Sequence, residues 1–209
     1  IAEGQILALL GRNGAGKTST LRSIARASTP ELRSGEIYLD GVALQSKANY
    51  VAAGSGIQLV QEDRRIIQGL TVEENLQLAQ ISGEPGWSYD RIFNLFPRLA
   101  ERRKQEGTTM SGGEQQMLAI ARALARDVKL LLLDEPYEGL APVVRQDIAK
   151  ALDEVRNAGI TTIIVEQNAV AALKISDRAV ILDTGEVVYD GSAQHVLDNE
   201  ELMHKYLAI

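Results

Sequence analysis

Gly11-Arg12-Asn13-Gly14-Ala15-Gly16-Lys17-Thr18 stands between an apolar run, Ile6-Leu7-Ala8-Leu9-Leu10, and a helix-like stretch from Thr18 to Arg26. A strand, a glycine-rich turn and a helix in that order form a phosphate-binding loop. The glycines let the backbone turn so tightly that consecutive N–H groups point into one concavity. The following helix adds the positive end of its dipole. Lys17 supplies a mobile point charge for the β and γ phosphates. Thr18 offers a hydroxyl to Mg²⁺, a hard cation that prefers oxygen ligands. Gly11, Asn13, Gly14, Ala15, Gly16, Lys17, Thr18 and Ser19 are therefore the expected contacts of a nucleoside triphosphate.

A second segment, Lys129-Leu130-Leu131-Leu132-Leu133-Asp134-Glu135-Pro136, supplies acid to match that cradle. Four consecutive leucines read as a strand buried on both faces, as in a parallel sheet. Asp134 and Glu135 then lie at its C-terminal end, where open α/β sheets hold their ligands. Asp134 is the expected partner of Mg²⁺. Glu135 is placed to polarise an attacking water as a general base. A third segment is Ser111-Gly112-Gly113-Glu114-Gln115. Its plain reading is a capping box opening a helix from about Gly112 to Arg126. The same physics gives free N–H groups and a hydroxyl to an anion. One phosphate cradle is already complete within the chain, so this second anion site points to a γ-phosphate held by another subunit.

These motifs, in this order and spacing, resemble the nucleotide-binding subunits of ABC transporters over essentially the whole chain. The resemblance implies a P-loop NTPase core of RecA-like type. That core has a mainly parallel sheet, a small antiparallel β portion and an inserted helical subdomain, with ATP and Mg²⁺ as ligands. It implies that Ser111 and Gly113 contact the γ-phosphate of an opposite chain, with Gly112, Glu114 and Gln115 completing the signature. Gln61 matches the glutamine that links the Mg²⁺ site to the transport partner. Leu70-Thr71-Val72-Glu73-Glu74-Asn75-Leu76, Glu138-Gly139-Leu140-Ala141-Pro142 and Val165-Glu166-Gln167-Asn168 look like the ATPases of branched-chain amino-acid importers. Asn94-Leu95-Phe96-Pro97-Arg98-Leu99 and Lys205-Tyr206-Leu207 fit the same branch. The partners so implied are a second ATPase chain, transmembrane permease subunits and, indirectly, a solute-binding protein. Other cargoes stay open, among them urea, amides and lipopolysaccharide. So do a soluble ATPase of translation or DNA repair and a regulatory module without turnover.

Composition agrees with this reading. The chain has 209 residues, 45% of them hydrophobic, enough for one well-cored domain. No stretch approaches the ~20 apolar residues of a membrane span. The absence of cysteine excludes disulfides and thiolate metal sites. A net charge of -6 argues against nucleic acid as the main partner. The expected location is the cytoplasmic face of the membrane, reached through the permease.

The spacing divides one domain into a nucleotide core, residues 1–61 and 127–209, and a helical signature subdomain, residues 62–126. Ser34 to Gly41 reads as a strand entering a turn. Thr71 opens a helix that carries Leu76, Leu78 and Ala79 and extends toward Ile81. Gly83 to Gly86 breaks the chain, and Tyr89 to Phe96 is a helix ended by Pro97. The charge run Glu101 to Glu106 reads as a solvated helix end. Arg178 to Leu182 and Glu186 to Tyr189 read as a hairpin through Thr184-Gly185, followed by two short helices.

The sequence also departs from the wider superfamily. Gln167 stands where most members place a histidine near the γ-phosphate. It donates and accepts hydrogen bonds but cannot carry a proton charge. His195 and His204 lie far along the chain and read as ordinary packing or surface residues. Ala141 replaces an aspartate that speaks across the dimer. Val60 replaces a proline, giving Gln61 a less rigid approach. Family members carry an aromatic residue ahead of the phosphate-loop strand to stack on adenine, and here none precedes Tyr38. Either the chain is a fragment with its start missing, or adenine is held otherwise; where the stacking segment is truly missing, weaker binding of the base is expected, by roughly 0.5–1.5 kcal/mol.

Overall fold

The computed structural model describes residues 1–81 and 84–207, so the expected break at Gly83 lies outside the described residues. In chain order the elements begin with β1 (Ile6–Leu10), α1 (Lys17–Ile24), β2 (Tyr38–Leu39), β3 (Val42–Ala43), α2 (Asn49–Gly54) and β4 (Ile57–Val60). Next come α3 (Val72–Gln80), α4 (Tyr89–Leu95), α5 (Pro97–Glu101) and α6 (Gly112–Leu124). The chain closes with β5 (Leu130–Asp134), α7 (Pro142–Asn157), β6 (Thr161–Val165), α8 (Ala169–Ile175), β7 (Arg178–Asp183), β8 (Glu186–Ser192), α9 (Ala193–Leu197) and α10 (Glu200–Leu202).

Six strands form one sheet in the order β4-β5-β6-β1-β7-β8, and β2 pairs with β3 apart from it. Every neighbour in the large sheet is parallel except the β7–β8 hairpin. The leucine run behaves as a strand buried on both faces. Leu131 and Leu133 enter one core with α6, α7 and α8, while Leu130 and Leu132 enter a second core with Leu21 of α1 and Ala52 of α2. Burial of these side chains contributes roughly 1.5–3 kcal/mol each, which is what fixes the register Leu133↔Ile164 and Val60↔Leu133. The parallel arrangement brings the C-terminal ends of β1, β4, β5 and β6 to one edge, and the loops that leave those ends carry Gly11–Gly16, Gln61, Glu135 and Gln167.

Several local readings change. The expected strand from Ser34 shrinks to β2, two residues long. Pro97 does not simply end a helix; it occupies the first turn of α5, where its missing N–H costs nothing. The helix opened by Thr71 ends at Gln80, one residue before Ile81; it buries Val72, Asn75 and Leu76 and leaves Leu78 exposed. The charge run is not merely solvated: Arg102 pairs with Glu114 at 3.1 Å, and Arg103 pairs with Glu73. Each bond reaches the first turn of a helix that opens with a capping box.

Candidate functional site

The phosphate loop is held from behind. At Gly11 (φ +144°) an added Cβ would lie 2.2 Å from the Leu182 carbonyl oxygen of β7, so no side chain fits there. The hairpin turn braces the same loop, with the Gly185 N–H donating to the Ala15 carbonyl at 3.1 Å. Gly16 enters α1 in the left-handed conformation and no side chain caps the helix, leaving its first N–H groups for an anion. Lys17 is 5% exposed. Its Nζ donates to the Gly11 carbonyl at 2.9 Å and the Arg12 carbonyl at 3.2 Å, so the ammonium sits over the loop.

The acidic strand end meets that loop. Thr18 Oγ1 donates to Asp134 Oδ1 at 3.0 Å. A hydroxyl and a buried carboxylate side by side form an all-oxygen donor set suited to Mg²⁺. Burial raises the Asp134 carboxyl above its ordinary value, against the pull of Thr18, Arg22 and Lys17. Glu135 leaves the strand with φ +50°, and its N–H donates to the Val165 carbonyl at 2.9 Å. Gln167 Nε2 donates to Glu135 Oε2 at 2.8 Å. Burial, followed by the hydrogen bond and charge of Glu138, pushes Glu135 up to about 7. Glu62 adds to that rise through its charge. Glu138 stands one turn along the same loop, its N–H donating to the Glu135 carbonyl at 3.2 Å, whereas Glu62 comes from the loop that leaves β4.

Gln61 follows β4, whose Val60 pairs with Leu133, and so comes level with Asp134 at the same edge. Among the described residues no hydrogen bond joins it to Thr18 or Asp134. Gln61 also lines a groove of about 290 Å³ with Arg64, Arg65, Leu78 and Arg122. The turn after it is bonded to α6: Arg64 Nε donates to Gln116 Oε1 at 3.2 Å and Arg122 Nη1 to the Arg65 carbonyl at 2.6 Å.

Ser111 caps α6 reciprocally. Its N–H and Oγ donate to Glu114 Oε2 at 2.9 and 2.7 Å, and the Glu114 N–H donates back to Oγ at 3.4 Å. Gln115 Nε2 donates to the Thr108 and Met110 carbonyls at 3.0 and 3.1 Å, holding the approach to Ser111. Gly113 packs on α7, where an added Cβ would lie 2.8 Å from Val144 Cγ1. Among the described residues no hydrogen bond or ion pair joins Ser111–Gln115 to the phosphate loop of the same chain. His195 stacks on Tyr189, with ring centroids 6.0 Å apart. Ala141 precedes α7 without a side-chain cap.

A family model described as ABC transporter matches residues 1–138. The chain is 41% identical over 210 residues to the high-affinity branched-chain amino acid transport ATP-binding protein BraG of Pseudomonas aeruginosa, covering 99% of this chain and 89% of that protein. It is 36% identical over 208 residues to a probable branched-chain amino acid transport ATP-binding protein, LivF, of Archaeoglobus fulgidus, covering 96% and 86%. It is 31% identical over 212 residues to the lipopolysaccharide export ATP-binding protein LptB of Haemophilus influenzae, covering 99% and 87%. The fold matches that of an ATP-binding cassette solved as a dimer in a post-hydrolysis state with ADP and Pi. The TM-score is 0.80 at 24% identity, covering 92% of this chain and 87% of that one.

Proposed function

This chain belongs to the family of ABC transporter ATP-binding proteins and is an ATP hydrolase, and on that premise we propose that it powers a permease importing branched-chain amino acids. The observation that carries the cargo is the 41% identity to BraG, spanning nearly all of both proteins. Lipopolysaccharide export is the second reading, favoured by the 31% identity to LptB across the same length.

In the proposed cycle two cassettes, identical or homologous, face head to tail. Lys17, Thr18, Ser19 and the loop N–H groups from Gly11 to Gly16 hold ATP on one chain. Thr18, Asp134 and Gln61 are the residues that would hold Mg²⁺, which when bound offsets phosphate charge. Ser111 and Gly113 of the opposite chain reach the γ-phosphate, so ATP favours the closed pair over the open one. Glu135 takes the proton of the attacking water, and Gln167 holds that carboxylate. The helical lobe, residues 62–126, passes closure to the permease. The groove beside Gln61 supports this, because its arginines suit an acidic segment and its turn is bonded to the helix that begins at Ser111.

Purification of the native protein from its own cells in mild detergent tests the assignment. A multi-span permease, a solute-binding protein and uptake of labelled leucine that stops with Glu135→Gln would establish it. Lipopolysaccharide-export components would favour the second reading. Ribosomal or DNA-repair components with no membrane protein would overturn transport while leaving the ATPase.

A further inference from the structure

Glu166 is a buried carboxylate to which the cycle above gives no task. It is 4% exposed and stands between the last residue of β6 and Gln167. Its Oε1 accepts the Tyr137 N–H at 2.7 Å. Glu166 is itself part of the turn that carries Gln167 and Asn168. Tyr137 lies two residues beyond Glu135, on the loop that leaves β5. One side chain therefore ties the loop carrying Glu135 to the turn carrying Gln167. Arg145 of α7 lies near enough for its charge to act on Glu166. Its Nε donates to the Leu140 carbonyl at 3.0 Å, bracing the far end of the Glu135 loop. These groups, with Glu138, bound a cavity of about 190 Å³ beside Glu135.

Burying a carboxylate is costly unless hydrogen bonds compensate. An apolar residue here would avoid that cost but would leave the Tyr137 N–H of the Glu135 loop without its acceptor. A glutamate in the Gln167 turn reaches across and accepts that N–H. We propose that Glu166 is a positioning residue for hydrolysis: by binding the Glu135 loop to the Gln167 turn it sets the Gln167–Glu135 hydrogen bond and the direction of the Glu135 carboxylate. The inference rests on the reading of Glu135 as the group that activates water.

Steady-state hydrolysis and ATP affinity of the full chain test it, with Glu166→Gln, Glu166→Ala, Gln167→Ala, the double variant Glu166→Gln/Gln167→Ala, and Glu135→Gln alongside. Glu166→Gln keeps the shape and one acceptor oxygen, so it is the variant that survives if Glu166→Ala does not fold. It is expected to lower kcat about fivefold, and Glu166→Ala about tenfold, as far as Gln167→Ala itself, with ATP affinity and KM held within about twofold. In the Gln167→Ala background the Glu166→Gln loss should shrink to about twofold, because the pair it positions is already broken. A merely structural role would lower Tm and give the same fold loss in both backgrounds. Three results overturn the inference: kcat within about twofold of wild type for every folded Glu166 variant, a loss confined to ATP affinity, or an undiminished loss beside Gln167→Ala. If Glu135→Gln abolishes turnover and the Glu166 variants do not lower kcat, only the positioning role fails. If Glu135→Gln turns over normally, the reading of Glu135 fails first and takes the positioning role with it.

Discussion

The side-chain amide of Gln167 donates to Oε2 of Glu135 at 2.8 Å, across the ends of two parallel strands that pair through Asp134 and Val165. An amide can direct that carboxylate but cannot exchange a proton with it. In the proposed cycle, proton transfer falls to Glu135 and orientation to Gln167. Glu135→Gln should lower kcat by about 10²–10³-fold with ATP binding retained, and Gln167→Ala by about tenfold. Single-turnover hydrolysis beside nucleotide titration checks both. A larger loss for Gln167→Ala than for Glu135→Gln would reverse the roles.

The pH dependence follows from the same carboxylate. Burial and Glu138 push Glu135 up to about 7. A general base works only when ionised. Turnover should therefore be full above that value and fall as pH drops through it, well above the ordinary glutamate range near 4.5. Glu138→Gln removes a neighbouring charge that raises Glu135, so the acid limb should move to lower pH. A pH–rate profile of the two proteins at saturating ATP decides it. An acid limb that stays in place would mean that Glu138 does not act on the base.

Two glycines of one loop make opposite demands. Gly11 has the Leu182 carbonyl oxygen 2.2 Å from any added Cβ, whereas nothing lies within 4 Å of a Cβ at Gly14. Gly14→Ala meets only the cost of a left-handed backbone (φ +81°), about 1–2 kcal/mol. Gly11→Ala must also push β7 from the loop, adding the roughly 1–3 kcal/mol of an overpacked site. Denaturant unfolding should rank Gly11→Ala as clearly the more damaging. Equal losses would mean that β7 yields to the loop.

The elements that the sequence made legible are those whose residues act alone or with near neighbours. Lys17 and Thr18 follow a glycine turn, four leucines demand burial, and Ser111–Glu114 and Thr71–Glu74 are local reciprocal bonds. Less legible were elements settled at long range. The helix Asn49–Gly54 has no side-chain cap and buries only Ala52, so nothing local marks it. Arg102 and Arg103 lie in a charge run, yet each finds its partner on a different helix. The Glu166 side chain resembles any surface glutamate until Tyr137 is folded against it. Glu62, on the loop after β4, acts on Glu135 only because two loops converge.

Ser111 and Thr71 make the same capping box on two helices, with the hydroxyls bonded to Glu114 and Glu74 at 2.7 and 2.8 Å. As caps alone they are equivalent, and replacement of either by alanine should cost about 1 kcal/mol of stability. The proposed contact with the γ-phosphate belongs only to Ser111. To donate there, its hydroxyl must turn from Glu114 Oε2, which keeps the Ser111 N–H as a donor while Arg102 holds the other oxygen. Ser111→Ala should therefore abolish ATP-dependent dimerisation of a Glu135→Gln protein, while Thr71→Ala leaves it intact at matched loss of stability. Light scattering with ATP and Mg²⁺ reads the dimer directly. Loss of dimer in both variants, or in neither, would reduce Ser111 to a helix cap.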